Sequence, residues 1–268
     1  MWGNERVAGR WKEANKLVKG ICRYKMNATY FIDECQKISE IVELLSDMDW
    51  NEAGRRFTKS YWEVQYHLDD TSLPDYCLGS NLREEVVACL LGGYGLKAEL
   101  GLLAFHRIKN LRLINEHATL QELEDAISLP FKLNGHDVHY RFSRQKSRYV
   151  YDFLQRDDIE ELEALCGSRL RDRLLTVKGI GPKTASWIAR NYGNCEDVAI
   201  VDIHIYRAGR LAGFVNREWD IQKDYYKIEE SFLDFCHSIN ALPSKMDSIM
   251  WSQMKESNRR AIELLNLK

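Results

Sequence analysis

The sequence predicts an all-α protein. Three observations carry that prediction. Only four of the 268 residues are proline, so few segments are barred from helix. Apolar residues recur at helical spacing, as at Phe31, Ile32, Ile38, Ile41, Val42 and Leu45, while strand-like alternation is scarce. Finally, Gly179-Ile180-Gly181-Pro182 punctuates two helical stretches in the way a tight hairpin between helices requires. An apolar content of 45% is enough for a real core, and the length suits one large domain or two closely packed ones.

Taken in order, residues 7–24, 30–45 and 52–66 read as helices, with Trp50, Trp62 and Tyr66 as packing aromatics. The stretch 71–80, with Pro74 and Gly79, reads as a loop and the domain boundary. It divides an N-terminal helical region, 1–80, from a domain spanning 81–268. LREEVVACLL, from Leu82, is expected to be a helix buried on one face; it ends at Gly92-Gly93, and a second helix runs over 96–108. Helices are expected at 119–127 and 143–156, with an irregular, His-containing stretch at 129–141 between them. The acidic segment 157–166 opens the next helix and leads into Arg169, Arg171 and Arg173, which approach the hairpin and could touch phosphates. Beyond the hairpin lie the apolar run Val198-Ala199-Ile200-Val201 and a helix over 203–211.

The net charge of −2 argues weakly against a nucleic-acid partner, but its distribution argues the other way. Residues 28–54 carry seven acids against one lysine, whereas 141–190 carry eleven Lys and Arg against seven acids. The basic half is therefore the hairpin half. The seven cysteines form no CxxC pair and are odd in number, a reduced-thiol pattern that excludes a disulfide framework or a zinc site. His136 and His139 lack the carboxylate or Cys spacing of a metal site. No apolar run is long enough to span a membrane and the first residues lack a signal-peptide core, so an intracellular protein without a membrane partner is expected.

Residues 174–207 hold the chemistry. The two hairpin glycines allow an unusual backbone and leave N–H groups uncovered at the positive end of a helix, a cradle suited to a phosphate. Lys183 falls in the first turn of that helix, where dipole and burial would both favour the neutral amine that a Schiff-base nucleophile needs. Asp202 follows the apolar run and opens the next helix. Each feature has an ordinary reading: a turn, a surface lysine, an N-cap aspartate. Their combination, with His204 following, offers cradle, amine and carboxylate in one stretch. It is not a Walker loop, because Pro182 rather than Gly precedes Lys183.

GIGPK and IVDIH resemble the hairpin and aspartate motifs of the helix-hairpin-helix DNA glycosylases. VKGIGPKTASWIARN…DVAIVDIHIYR is most similar to the compact, all-helical prokaryotic branch of the 8-oxoguanine DNA glycosylases; a weaker similarity runs from Leu82 to Trp251, and none covers 1–80. The resemblance implies a two-lobed helical fold with its hairpin at 174–192, and a bifunctional glycosylase and abasic-site lyase acting on duplex DNA that contains a damaged base. Lys183 and Asp202 would be catalytic. Gly179, Gly181, His204, Arg173 and a gap-filling Tyr94 would contact DNA. Trp187, Asp247 and Trp251, the last two on a closing helix within 241–251, would line the base pocket, with Lys268 a possible aid to recognition. The resemblance requires no metal or organic cofactor and allows a monovalent cation on the hairpin carbonyls. Endonuclease III-like relatives carry a four-cysteine iron–sulfur loop after the aspartate; only Cys236 lies beyond Asp202, so no such cluster is expected. Two alternatives stand beside this one: a glycosylase for another damaged or modified base, including on foreign DNA, and a non-catalytic DNA-binding module. Phosphate grip alone would require neither Lys183 nor Asp202.

Overall fold

The computed structural model describes residues 56–70, 76–93 and 95–266. The helices expected at 7–24 and 30–45, the start of that at 52–66, Trp50, Tyr94 and Lys268 lie outside them. Among the described residues there are twelve helices and one two-stranded sheet, the expected all-α class. Residues from Glu52 onward form one compact unit. No helix among the described residues is long and apolar enough to cross a membrane.

The first helix, α1 (Lys59–Leu68), is capped by Thr58, whose hydroxyl accepts from the Tyr61 amide at 3.2 Å. It buries Trp62 completely, beside Phe57 and among Ile205, Phe232 and Met250. Packing therefore does not break at residue 80. Next, α2 (Leu82–Leu91) is buried on more than the one expected face: Leu82, Val86, Val87, Leu90 and Leu91 are all inaccessible, and so is Glu85. The Glu85 carboxylate is satisfied by the amides of Leu78 and Gly79 at 2.6 and 2.8 Å, which ties the incoming chain to the helix. Around α2 lie α3 (Ala98–Asn110) and α4 (Leu120–Ser128), the latter started by a capping box between Thr119 and Glu122.

The stretch expected to be irregular instead contains a hairpin. Strands β1 (Phe131–Leu133) and β2 (His136–Val138) pair antiparallel, with Phe131 opposite Val138. Asn134 and Gly135 turn it with φ of 50° and 82°, the left-handed pair that a two-residue hairpin demands. Phe131 is buried beneath the Arg107 guanidinium, 3.5 Å from its ring centre.

Helices α5 (Ser143–Leu154), α6 (Ile159–Glu163), α7 (Gly167–Leu174) and α8 (Pro182–Asn191) complete a first core with α2 to α4. A second core gathers α1 with α9 (Ile203–Ala212), α10 (Tyr225–Ser238), α11 (Pro243–Glu256) and α12 (Asn258–Asn266). Lys183 belongs to α8 of the first core and Asp202 caps α9 of the second, so the candidate site lies where the two meet.

Candidate active site

The hairpin between α7 and α8 is held by two short backbone bonds, Val177 N–H to the Leu174 carbonyl at 3.0 Å and Ile180 N–H to that of Val177 at 3.1 Å. Val177 and Ile180 anchor it in the first core. The two glycines play different parts, not the shared one expected. Gly179 has φ of 95°, and a Cβ there would overlap the Tyr149 ring from α5. Gly181 has an ordinary φ of −102°, and a Cβ would meet nothing within 4 Å among the described residues. Fold therefore demands Gly179; Gly181 merely leaves space in front of the helix start. No side chain among the described residues caps the first turn of α8, so its amides remain open to an anion.

Lys183 is the second residue of α8. Its side chain is 56% exposed, so the burial expected from the sequence does not occur, and its Nζ lies 4.0 Å from Oδ2 of Asp202. Asp202 does two jobs with its two oxygens. Oδ1 accepts from the His204 and Ile205 amides at 2.8 and 3.0 Å, the N-cap of α9, while Oδ2 faces the lysine. The residue is only 8% exposed.

What aims Asp202 is the run before it. Val198, Ala199, Ile200 and Val201 are buried and belong to no helix or strand, with no strand beside them to pair with among the described residues. Side chains of α10 take that place. Glu229 accepts from the Ala199 amide at 2.9 Å, and the Tyr225 hydroxyl accepts from the Val201 amide at 3.2 Å and donates to the Ala199 carbonyl at 3.0 Å. Glu229 also accepts from Ser186 of α8 and pairs with Arg171 of α7. One carboxylate thus ties both hairpin helices to the segment that delivers Asp202. Burial pushes the Glu229 carboxyl up, against the pull of its amide, hydroxyl and guanidinium partners.

The remaining residues singled out from the sequence fall around this pair, with exceptions. Trp187, one turn beyond Lys183, is half-buried; its indole N–H has no partner among the described residues. His204 likewise has a buried, unpartnered Nδ1, and its ring meets Trp251 edge to face with centroids 6.3 Å apart. Trp251 is 41% exposed and also carries Lys255 over its face. Asp247 does not border open space: it is buried in an ion pair with Arg190 of α8. Desolvation pushes its carboxyl up, Arg190 opposes that, and the Asp202 charge adds to it. Arg173 is engaged within the protein, by Asp158 at 2.9 Å and Glu161 at 3.5 Å. Among the described residues no cluster of His, Cys, Asp or Glu could hold a metal ion. Arg190, Glu229 and Tyr225 were not singled out from the sequence. Arg190 stands seven positions after Lys183, a helical spacing that could have flagged it; nothing local flags the other two.

The family model described as 8-oxoguanine DNA glycosylase matches residues 78–241. The chain belongs to that family. It is 32% identical over 130 residues to the 8-oxoguanine DNA glycosylase/AP lyase of Saccharolobus solfataricus, covering 44% of this chain and 60% of the relative. It is 25% identical over 159 residues to that of Metallosphaera sedula, covering 55% and 71%. The chain thus spans about 60% of the length of the Saccharolobus relatives it matches. Among solved structures it is similar to the Methanocaldococcus jannaschii 8-oxoguanine glycosylase/lyase, crystallised with a 15mer DNA containing 8-oxoguanine. That match has a TM-score of 0.51 and 21% identity, and covers 82% of this chain and 96% of the other, which shows the shared helical fold.

Proposed function

We propose that this glycosylase-family chain excises 8-oxoguanine from duplex DNA and cleaves the resulting abasic site through a Schiff base on Lys183. The observation that carries the reading is the Lys183–Asp202 approach of 4.0 Å beside an uncapped helix start. A DNA phosphate at the open amides of Gly181 and the first turn of α8 brings one sugar to the lysine. The damaged nucleotide leaves the stack, because its glycosidic bond is out of reach inside the duplex. The exposed ammonium gives its proton to solvent, and the Asp202 carboxylate stays ionised, so that its charge faces the positive charge that grows at C1′. The neutral amine attacks C1′ and the bond to the base breaks, its electron pair leaving with the base, which takes up the proton that the newly bonded amine sheds. Ring opening gives the imine. Loss of a C2′ proton then expels the 3′ phosphate by β-elimination. These steps use the chain's own amine and carboxylate, with solvent carrying the protons. A monovalent cation on the hairpin carbonyls would brace the turn, since Leu174 and Val177 each keep a lone pair beyond the internal bond accepted.

The test is base release and borohydride trapping on a duplex with one 8-oxoguanine opposite cytosine, with an abasic duplex alongside. Release and a trapped adduct, both lost in Lys183→Gln, are expected. Trapping on the abasic duplex without release of the base would retain the lysine chemistry and reject the substrate. No adduct on either duplex, with DNA binding intact, would leave a binding module.

A further inference from the structure

The geometry points to Tyr76 as a wall of the pocket that receives the extruded base, a specificity-determining residue supplied from outside the part of the chain that matches the family model. The inference rests on the proposed function and adds a residue to it. Starting at Lys183, one turn of α8 leads to Trp187. The Tyr76 ring meets Trp187 edge to face, centroids 6.1 Å apart at 68°. The Tyr76 hydroxyl is 2.9 Å from that of Ser248, in the first turns of α11, and Trp251 stands three residues on. Trp251 abuts His204, whose amide is held by Asp202, and Asp202 returns to Lys183. These contacts close a ring, and every link except Tyr76 comes from α8, α9 or α11.

Two features suit the ring to a polar, planar ligand. The Trp187 indole N–H and the His204 Nδ1 are both buried and unpartnered among the described residues, a cost that is relieved when side chains shift around a polar planar guest. In addition, two hydroxyls that share one hydrogen bond retain a second O–H, so the Tyr76–Ser248 pair keeps a donor for the edge of a guest. A purine with a carbonyl-rich edge suits both: aromatic edges and faces to lie against, and donors at its rim. Tyr76 lies before residue 78, where the family match begins, so it would make this pocket differ from one lined by α8 and α11 alone.

The experiment uses the full chain, with Tyr76→Ala and Tyr76→Leu beside wild type. Single-turnover release of 8-oxoguanine is measured against borohydride trapping on an abasic duplex, which carries no base to be walled. Tyr76→Ala is expected to slow release roughly tenfold, the effect of losing one aromatic–base contact, while abasic trapping stays within about twofold of wild type. Equal loss of both activities, with a lowered melting temperature, would make Tyr76 a structural residue and overturn the inference. Should the alanine variant not fold, Tyr76→Leu, which fills the space without an aromatic ring, decides: slower release with unchanged trapping supports the wall, and unchanged release overturns it. If wild type traps the abasic duplex yet releases no 8-oxoguanine, the substrate reading falls and takes this inference with it. If wild type releases the base and both variants match it, only the inference falls.

Discussion

Asp202 can be split into its two jobs by substitution. Asn keeps a side-chain oxygen that can accept from the His204 and Ile205 amides, now at 2.8 and 3.0 Å, but carries no charge for Lys183. Ala loses both. Asn and Asp are near-equal N-caps, so Asp202→Asn is expected to cost only a few tenths of a kcal/mol. Asp202→Ala forfeits the cap, about 1 kcal/mol, and strands the buried Ile205 N–H, which brings the total to about 2 kcal/mol. For a folded unit of this size that corresponds to a fall of roughly 4–8 °C in melting temperature, against about 1 °C for Asn. Abasic-site trapping should fall sharply, and alike, in both variants. Thermal unfolding followed by circular dichroism, paired with trapping yields, checks this. Wild-type trapping by Asp202→Asn would refute the argument, since Asp202 would then be a helix cap and nothing more. Equal melting temperatures for the two variants would refute the capping half.

Three further outcomes are expected. Arg190→Met leaves the Asp247 charge buried without its partner, costing about 3–5 kcal/mol and on the order of 10 °C in melting temperature; adding Asp247→Asn should recover much of it, and no recovery would mean that the stranded charge is not the cause. Gly181→Ala fits the fold and should melt like wild type while binding an abasic duplex more weakly, whereas Gly179→Ala, strained in φ and overlapping Tyr149, should melt lower; a gel-shift titration and a melting curve on each separate the two. Asp158, bound by Arg156 and Arg173, has its carboxyl drawn from 3.8 down to about 2. Its stabilisation is therefore complete above the ordinary value and is lost as pH falls towards 2. Asp158→Asn should lower the melting temperature at neutral pH and flatten the acid limb, and an unchanged limb would count against the assignment.

The hairpin and the meeting of Lys183 with Asp202 were legible in the sequence because their signals lie at short spacing: two glycines, a proline, a lysine, and an aspartate at the head of an apolar helix pattern. The helices α2, α3, α4 and α5 were legible through their apolar pattern and the glycines between them. The β-hairpin was missed although its Asn134-Gly135 turn is a strong local signal, because strands of three residues are too short to show alternation. The supports of the site were not legible for a different reason. Arg190 finds its partner fifty-seven positions away, Ala199 finds Glu229 thirty away, and Tyr76 reaches Ser248 across most of the unit. No window of sequence contains such pairs. The exposure of Lys183 was also not legible, since it depends on what the rest of the chain leaves uncovered.

The packing of Tyr149 onto Gly179 has a mechanical consequence. Tyr149 belongs to α5, is steadied by Gln145 at 2.8 Å, and lies so close to the turn that even a methyl group cannot come between them. The hairpin is thereby braced from outside itself, like an arch with a buttress. On the proposed function, a phosphate chain on its open amides would meet a turn propped from behind by the Tyr149 ring. The bending needed for a snug fit would then fall to the nucleic acid, whose stiffness depends on its own sequence and on damage to its stack. A rigid cradle of this kind can favour yielding stretches of duplex before any base is touched.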